Sequence, residues 1–201
     1  TSELYGNPDV VPTPETYIGR TNPLSLRSPY DASKLYGETL AAIFAREMGL
    51  DVRIARLFNA YGPGMPVQDG RVIASYIGAA LKGEAIPVHG DGLQTRSFCY
   101  VSDTIAGILA LMDAPADALK AAGHPPVVNI GNPGEVPMGE LARMCWRTVR
   151  TDEPQIVALP ANPDDPRRRC PDVTRAREIL RWSPKVPLDD GLRRTAAWLR
   201  G

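Results

Sequence analysis

The sequence carries no surplus of either charge: 23 Lys and Arg stand against 23 Asp and Glu. No strong field therefore favours nucleic acid or an anionic membrane as a partner. It also lacks an apolar run approaching the roughly 20 residues that cross a bilayer, and no signal-peptide pattern stands at the front. Cysteine is scarce. Cys99, Cys145 and Cys170 are widely spaced and odd in number, which speaks against a disulfide framework. The two histidines are far apart, and neither a CxxC nor an HxxxH spacing occurs, so no metal site is expected. A reducing cytoplasm is the expected compartment. Repeats and low-complexity segments are missing as well. What remains is a chain of 201 residues with 43% hydrophobic residues, long enough to bury a real core and ordinary in composition.

The chain opens on Thr1 and runs at once into TSELYG, which reads as the end of a strand entering a loop. A first strand placed there would have few partners, so residues upstream are expected. Pro8, Pro12, Pro14, Gly19 and Pro23 break any periodicity between residues 7 and 27. Loops of that length in compact domains usually serve function. SPYDASKLYGETLAAIFAREMGL then predicts a helix, with Ser28 as N-cap, Pro29 at the first helical position, Asp31 in the first turn and Gly49 as the stop. Strands are expected at 52–58 (VRIARLF), at IPVHGDG, at SFCYV, at VVNIG and at QIVAL. Between them lie helices at 71–82, from a Ser102 cap to about Met112, at ELARMCWRTVR, at 172–181 and at 188–199. Strands alternating with helices predict an α/β fold with a largely parallel sheet. Trp146, Trp182 and Trp198 sit in helical patterns and are expected to pack, and Cys99 is expected to act as a small buried hydrophobe.

The spacing with chemical content is Tyr30-x-x-x-Lys34. On a helix, i and i+4 share a face, so phenol and ammonium point the same way. An adjacent ammonium favours the phenolate, which makes tyrosine a usable base near neutral pH.

Five ordered motifs carry a wider resemblance: TSELYG, SPYDASK, RLFNAYGPG, GDGLQTRSFCYVSD and VNIGNPGE. Together they resemble the extended short-chain dehydrogenases, the NAD-dependent epimerases, dehydratases and decarboxylases of nucleotide sugars. The resemblance implies a Rossmann-type doubly wound parallel sheet with a smaller α/β substrate domain, and a homodimer when intact. On that basis residues 1–62 and part of 97–130 are the C-terminal remainder of the NAD-binding domain, while 63–96 and 131–201 are the substrate domain. The Gly-rich turn that seats a pyrophosphate on a helix N-terminus does not occur in this sequence, nor does the acidic residue that would bind the adenine ribose. The chain is therefore expected to be the C-terminal part of such an enzyme, inactive by itself.

By the same resemblance, Thr1 matches the residue that hydrogen-bonds the reacting sugar hydroxyl, with Ser2 beside it on the substrate. Tyr30 matches the base, and Lys34 the residue that tunes it and binds the nicotinamide ribose. Phe58 falls with them on the cofactor side. Asn59 matches a residue near the substrate diphosphate or sugar. Arg71 and Arg96 match positions on the diphosphate, where a guanidinium fork suits phosphate oxygens. Glu3 narrows the choice, because a simple 4-epimerase has no use for a carboxylate there, whereas dehydratases and decarboxylases use one to move a proton at C5 or to hydrogen-bond the ring as charge develops.

The rest is most similar to the UDP-glucuronate decarboxylases. YIGRTNPLSLRSPYDASK resembles their approach to the catalytic tyrosine, GMPVQDGRVIASYI their helix entry, and DDPRRRCPD their Asp-Asp-Pro element, in which Arg169 matches an arginine facing the sugar ring. Three departures stand out. Those enzymes usually read Cys-Tyr-Asp-Glu-Gly-Lys where this chain has Pro29 to Lys34, they have Arg at Gly64, and they have an aromatic at His89. A UDP-sugar 4-epimerase and a nucleotide-sugar 4,6-dehydratase therefore stay open as alternatives, as does a non-catalytic nucleotide-binding relative.

Overall fold

The computed structural model of the chain describes residues 1–161 and 165–201. Asp164, the first Asp of the Asp-Asp-Pro element, lies outside them. TSELYG is not the end of a strand. Ser2–Tyr5 wind into one 3-10 turn because Thr1 caps it, its hydroxyl accepting from the Glu3 N–H at 3.4 Å, as Thr does at helix starts. The loop that follows is tied back twice, through bridges Gly6–Arg20 and Thr13–Pro171. Gly6 is required at the first: its φ is +61°, and a Cβ there would lie 1.9 Å from the Arg20 carbonyl oxygen.

Helix α1 (Ser28–Met48) starts one residue earlier than expected. Arg27 occupies the cap position and no side chain caps the helix, so Ser28 is its first residue. Gly49, with φ 63°, ends it through its N–H to the Phe44 carbonyl, the left-handed stop that glycine supplies. The remaining elements are β1 (Ile54–Leu57), β2 (Ala60–Tyr61), α2 (Val72–Lys82), β3 (Ile86–His89), β4 (Thr95–Ser97), β5 (Cys99–Tyr100), α3 (Val101–Asp113), α4 (Ala116–Leu119), β6 (Val127–Ile130), β7 (Glu135–Pro137), α5 (Met138–Val149), β8 (Ile156–Leu159), β9 (Arg168–Arg169), α6 (Thr174–Leu180) and α7 (Leu188–Leu199). SFCYV, expected as one strand, is divided at Phe98 between two sheets. The cap of α3 is Tyr100 rather than Ser102, which sits inside the first turn.

Parallel pairing dominates, as the strand–helix alternation predicted. β1 runs beside β6 from Ile54↔Val127 to Leu57↔Ile130, β2 beside β5, and β3 beside β8. The exception is β4, which lies between antiparallel β7 and parallel β9. That three-stranded sheet brings Arg96 and Arg169 into register as Cα partners.

Two apolar clusters hold these elements. The larger gathers α2, α5, α7 and β3 around Trp146, Ile77, Ile86, Leu141 and Leu192, all fully buried. The smaller packs α3 and β6 with α6 through Cys99, Val128, Ile130, Ala176 and Trp182. Burial pushes the Cys99 thiol up to about 11, so it behaves as the expected hydrophobe. Trp146 and Trp182 are buried as expected, but Trp198 is 46% exposed. It stands on the outer face of α7, while Leu192 and Ala196 take the inner one.

Candidate active site

A cleft of about 330 Å³ opens where four segments meet. The 3-10 turn contributes Glu3, the end of the long loop Arg27, the first turn of α1 Asp31, and the segment through β9 Asp165 and Arg169. Glu3 is the hinge of the charge arrangement. Its carboxylate accepts from Arg27 Nη2 at 2.7 Å and also from Arg169 Nη1. Burial raises the Glu3 pKa, but the charge of Arg169, then of Arg27, outweighs it and holds the carboxyl below its usual range. Arg169 is itself 7% exposed, and burial pulls its pKa down against the opposing pull of Glu3. Its Nε has no hydrogen-bond partner among the described residues.

Arg96 flanks this cleft. It is buried, pairs with Asp165 at 2.6 Å, and donates from Nη1 to the Thr95 carbonyl. Asp31, also nearly buried, has Oδ1 without a hydrogen-bond partner among the described residues. Burial first, then the charge of Glu3, raises the Asp31 pKa, with Arg27 and Arg169 opposing.

The other predicted residues are distributed differently. Tyr30 and Lys34 lie on one face of α1, with Lys34 Nζ 5.2 Å from the Tyr30 ring centroid, so the i, i+4 geometry is realised. Both are exposed to solvent and neither lines the charged cleft. Ser2 is buried in the 3-10 turn. Asn59 takes a left-handed φ of 26° and donates from Nδ2 to the Ser97 carbonyl at 2.9 Å, fixing the turn between β1 and β2. Phe58 is buried, with its ring 5.9 Å from that of Tyr5 and its Cβ against Gly131. The ring is thus part of the packing rather than a cleft wall. Arg71 lines a second cleft of about 260 Å³ with Tyr61, Gly64 and Met65, and pairs with Asp69 at 2.8 Å. Arg71 therefore lines the second cleft, while Arg96 lines neither and reaches the first only through Asp165.

Sequence reasoning missed Arg27, Asp31 as a cleft residue, and Asp165. A signal existed for the first two. They are four apart across the start of α1, so they share a face, and Asp31 directly follows the tyrosine of the Tyr-x-x-x-Lys pair.

The profile of the NAD dependent epimerase/dehydratase family matches residues 1–131, well over half of the chain. The chain belongs to that family. Among curated relatives, UDP-glucuronic acid decarboxylase 5 of Arabidopsis thaliana is 46% identical over 192 residues, which cover 96% of this chain and 54% of that protein. UDP-glucuronic acid decarboxylase 1 of Xenopus tropicalis is 41% identical over 200 residues, covering 100% and 45%. The chain thus spans about half the length of the curated relatives it matches. Among solved structures, UDP-glucose 4-epimerase with UDP-glucose from Thermotoga maritima superposes with TM-score 0.85 at 32% identity, over 98% of this chain and 60% of that one. UDP-glucuronic acid 4-epimerase from Bacillus cereus, in complex with UDP-glucuronic acid and NAD, gives 0.84 at 26%, over 100% and 59%. The fold is the Rossmann-type α/β fold of these neighbours.

Proposed function

We propose that the protein carrying this chain decarboxylates UDP-glucuronate to UDP-xylose through a 4-keto intermediate, with NAD as cofactor. The observation that carries this reading is the buried Arg169 guanidinium at the cleft. With one nitrogen on Glu3 and one unpartnered, it suits a sugar that brings a carboxylate of its own. The 46% identity to a UDP-glucuronic acid decarboxylase supports the same substrate.

Tyr30 and Lys34 fit the nicotinamide end of the cofactor, because an ammonium beside a phenol on an exposed helix face can bind a ribose diol. NAD, when bound, supplies oxidation at sugar C4 and the later return of the hydride. Tyr30 takes the O4 proton, and Thr1 hydrogen-bonds that hydroxyl, with Ser2 beside it. The resulting ketone is β to the C6 carboxylate, so carbon dioxide leaves and the electrons settle in an enolate. Glu3 and Arg169 orient the ring and its carboxylate, while Asn59, Arg71 and Arg96 serve the nucleotide diphosphate.

The domain division at 1–62 with part of 97–130, against 63–96 with 131–201, belongs to the same proposal. So do Phe58 on the cofactor side and a homodimer. Support for the dimer comes from α1, which buries only Asp31 and Ala45 and leaves Leu35, Tyr36, Phe44 and Met48 exposed. A cytoplasmic location accords with three free cysteines. No helix of the described residues is long and apolar enough to cross a membrane.

The test is to incubate the full-length gene product with UDP-glucuronate and catalytic NAD, following carbon dioxide and the sugar by NMR. Carbon dioxide with UDP-xylose is expected, and Arg169→Leu should slow it about a hundredfold, as loss of a buried charge partner does. Inversion at C4 with no carbon dioxide would instead make the protein a 4-epimerase.

A further inference from the structure

Three carboxyl groups line the charged cleft; Asp165 pairs with Arg96, and the surroundings of the other two push them apart. Glu3 holds both guanidinium groups, those of Arg27 and Arg169. Asp31 holds neither. It is about nine-tenths buried, lines the same cleft, and its Oδ1 has no donor among the described residues. A buried carboxylate oxygen with no donor is costly, and the cost falls when the group keeps its proton. When neighbouring carboxyls are driven in opposite directions, their acid and base roles separate. Glu3 is the fixed charge. Asp31 is the carboxyl in which burial without a donor favours the protonated form.

We propose that Asp31 is the general acid that protonates C5 of the sugar after carbon dioxide has left, an inference that rests on the decarboxylase reading above. The C5–C6 bond breaks, its electron pair forms the C4–C5 enolate, and carbon dioxide departs. The enolate then takes the proton from the Asp31 carboxyl, forming the new C5–H bond and restoring the C4 carbonyl. Asp31, left as carboxylate, recovers a proton from water through the open cleft. One proton is consumed for each carbon dioxide released, and neither an oxidant nor a reductant is needed in this step. Asp31 is the residue next to Tyr30, with Cα atoms about 3.8 Å apart. Their side chains leave α1 about 100° apart, Asp31 toward the cleft and Tyr30 toward solvent. In this scheme Glu3, held by Arg27 and Arg169, takes the other role open to it from sequence, hydrogen-bonding the ring.

C5 of the product is a methylene carbon, so the face that receives the proton can be read. The full-length gene product in D₂O, supplied with UDP-glucuronate and NAD, should place a single deuterium at one of the two C5 positions. Asp31→Asn should form UDP-xylose about a hundredfold more slowly, the usual size of a lost general acid, and should scramble deuterium over both positions as solvent takes over. Should Asp31→Asn not fold, Asp31→Glu keeps an acid one methylene further out and should slow the reaction while preserving the single isomer. A wild-type rate with a single isomer in Asp31→Asn, or a wild-type rate in Asp31→Glu, would overturn the proposal and leave the decarboxylase reading standing. Absence of carbon dioxide from the unmutated enzyme would sink that reading, and this inference with it.

Discussion

Helices α1 and α2 are held in place by opposite means. α2 has 11 residues and buries six of them, including Ile73, Tyr76 and Ile77, against α5 and α7. α1 has 21 residues and buries two. What fixes α1 is polar. Arg56 on β1 grips Glu38 at 2.8 Å, the Tyr5 hydroxyl at 2.9 Å and the Glu15 carbonyl at 3.1 Å. Glu15 in turn accepts from the backbone N–H of buried Asn129 at 2.8 Å. The difference teaches that the residues proposed to bear the chemistry stand on a helix with little apolar anchorage. The core made by α2, α5 and α7 supplies the stability.

The sharpest way to break the comparison is to cut the core. Trp146→Ala should cost about 3–5 kcal/mol, read as a fall in the urea midpoint, because Trp146 is fully buried and its indole N–H donates to Asp152. Phe44→Ala on α1, at 44% exposure, should cost under about 1 kcal/mol in this chain. If the face of α1 is covered in the full-length gene product, that same change should cost nearly as much there as a core truncation. Next comes Arg56→Ala, expected to cost about 3 kcal/mol by leaving the Glu38 carboxylate without its partner, and to loosen α1 selectively in hydrogen exchange.

A smaller effect follows from Glu3. Its folded pKa is depressed relative to the ordinary 4.5, so the folded state binds its proton less readily than the unfolded chain. The resulting stability is fully present above about pH 4.5 and is lost as pH falls through the lower folded value. Glu3→Gln should therefore destabilise at pH 7 and converge on the unmutated chain in strong acid. Smallest of all is Arg193→Ala on the surface of α7. Its pair with Asp189 at 3.0 Å is about 60% exposed on both sides, and the change should move the midpoint by less than about 0.5 kcal/mol.

Much of this was legible in the residues. The helix from Ser28, its stop at Gly49 and the Tyr30–Lys34 pair followed from spacing and punctuation alone, and the parallel strands from the alternation of patterns. Helix starts were read one residue off at Ser28 and inside the helix at Ser102, because a serine was present but made no capping bond. SFCYV could not be divided from sequence, since all five residues suit a strand and only tertiary pairing sends its two halves to different sheets. The 3-10 turn at Ser2–Tyr5 was hidden for a similar reason: four residues carry no period. Arg169 was identified through resemblance, but its grip on Glu3 joins residues 166 apart, and no local pattern reports such a contact. Asp31 showed the same limit. It read as a first-turn carboxylate, which it is, and only the packing around it reveals that its oxygen lacks a donor.

That separation between Glu3 and Arg169 also sets a clock. A ribosome adding about 5–20 residues per second needs roughly 10–30 s to travel from one to the other. Through that interval Glu3 and Arg27 are already made, while Arg169, the other guanidinium on Glu3, does not yet exist. The charged cleft is completed only once β9 has been made, so a product cut short before β9 would carry Tyr30 and Lys34 without Arg169. Tyr30 and Lys34 are thus written early, and Arg169, the arginine proposed to face the sugar, is written late.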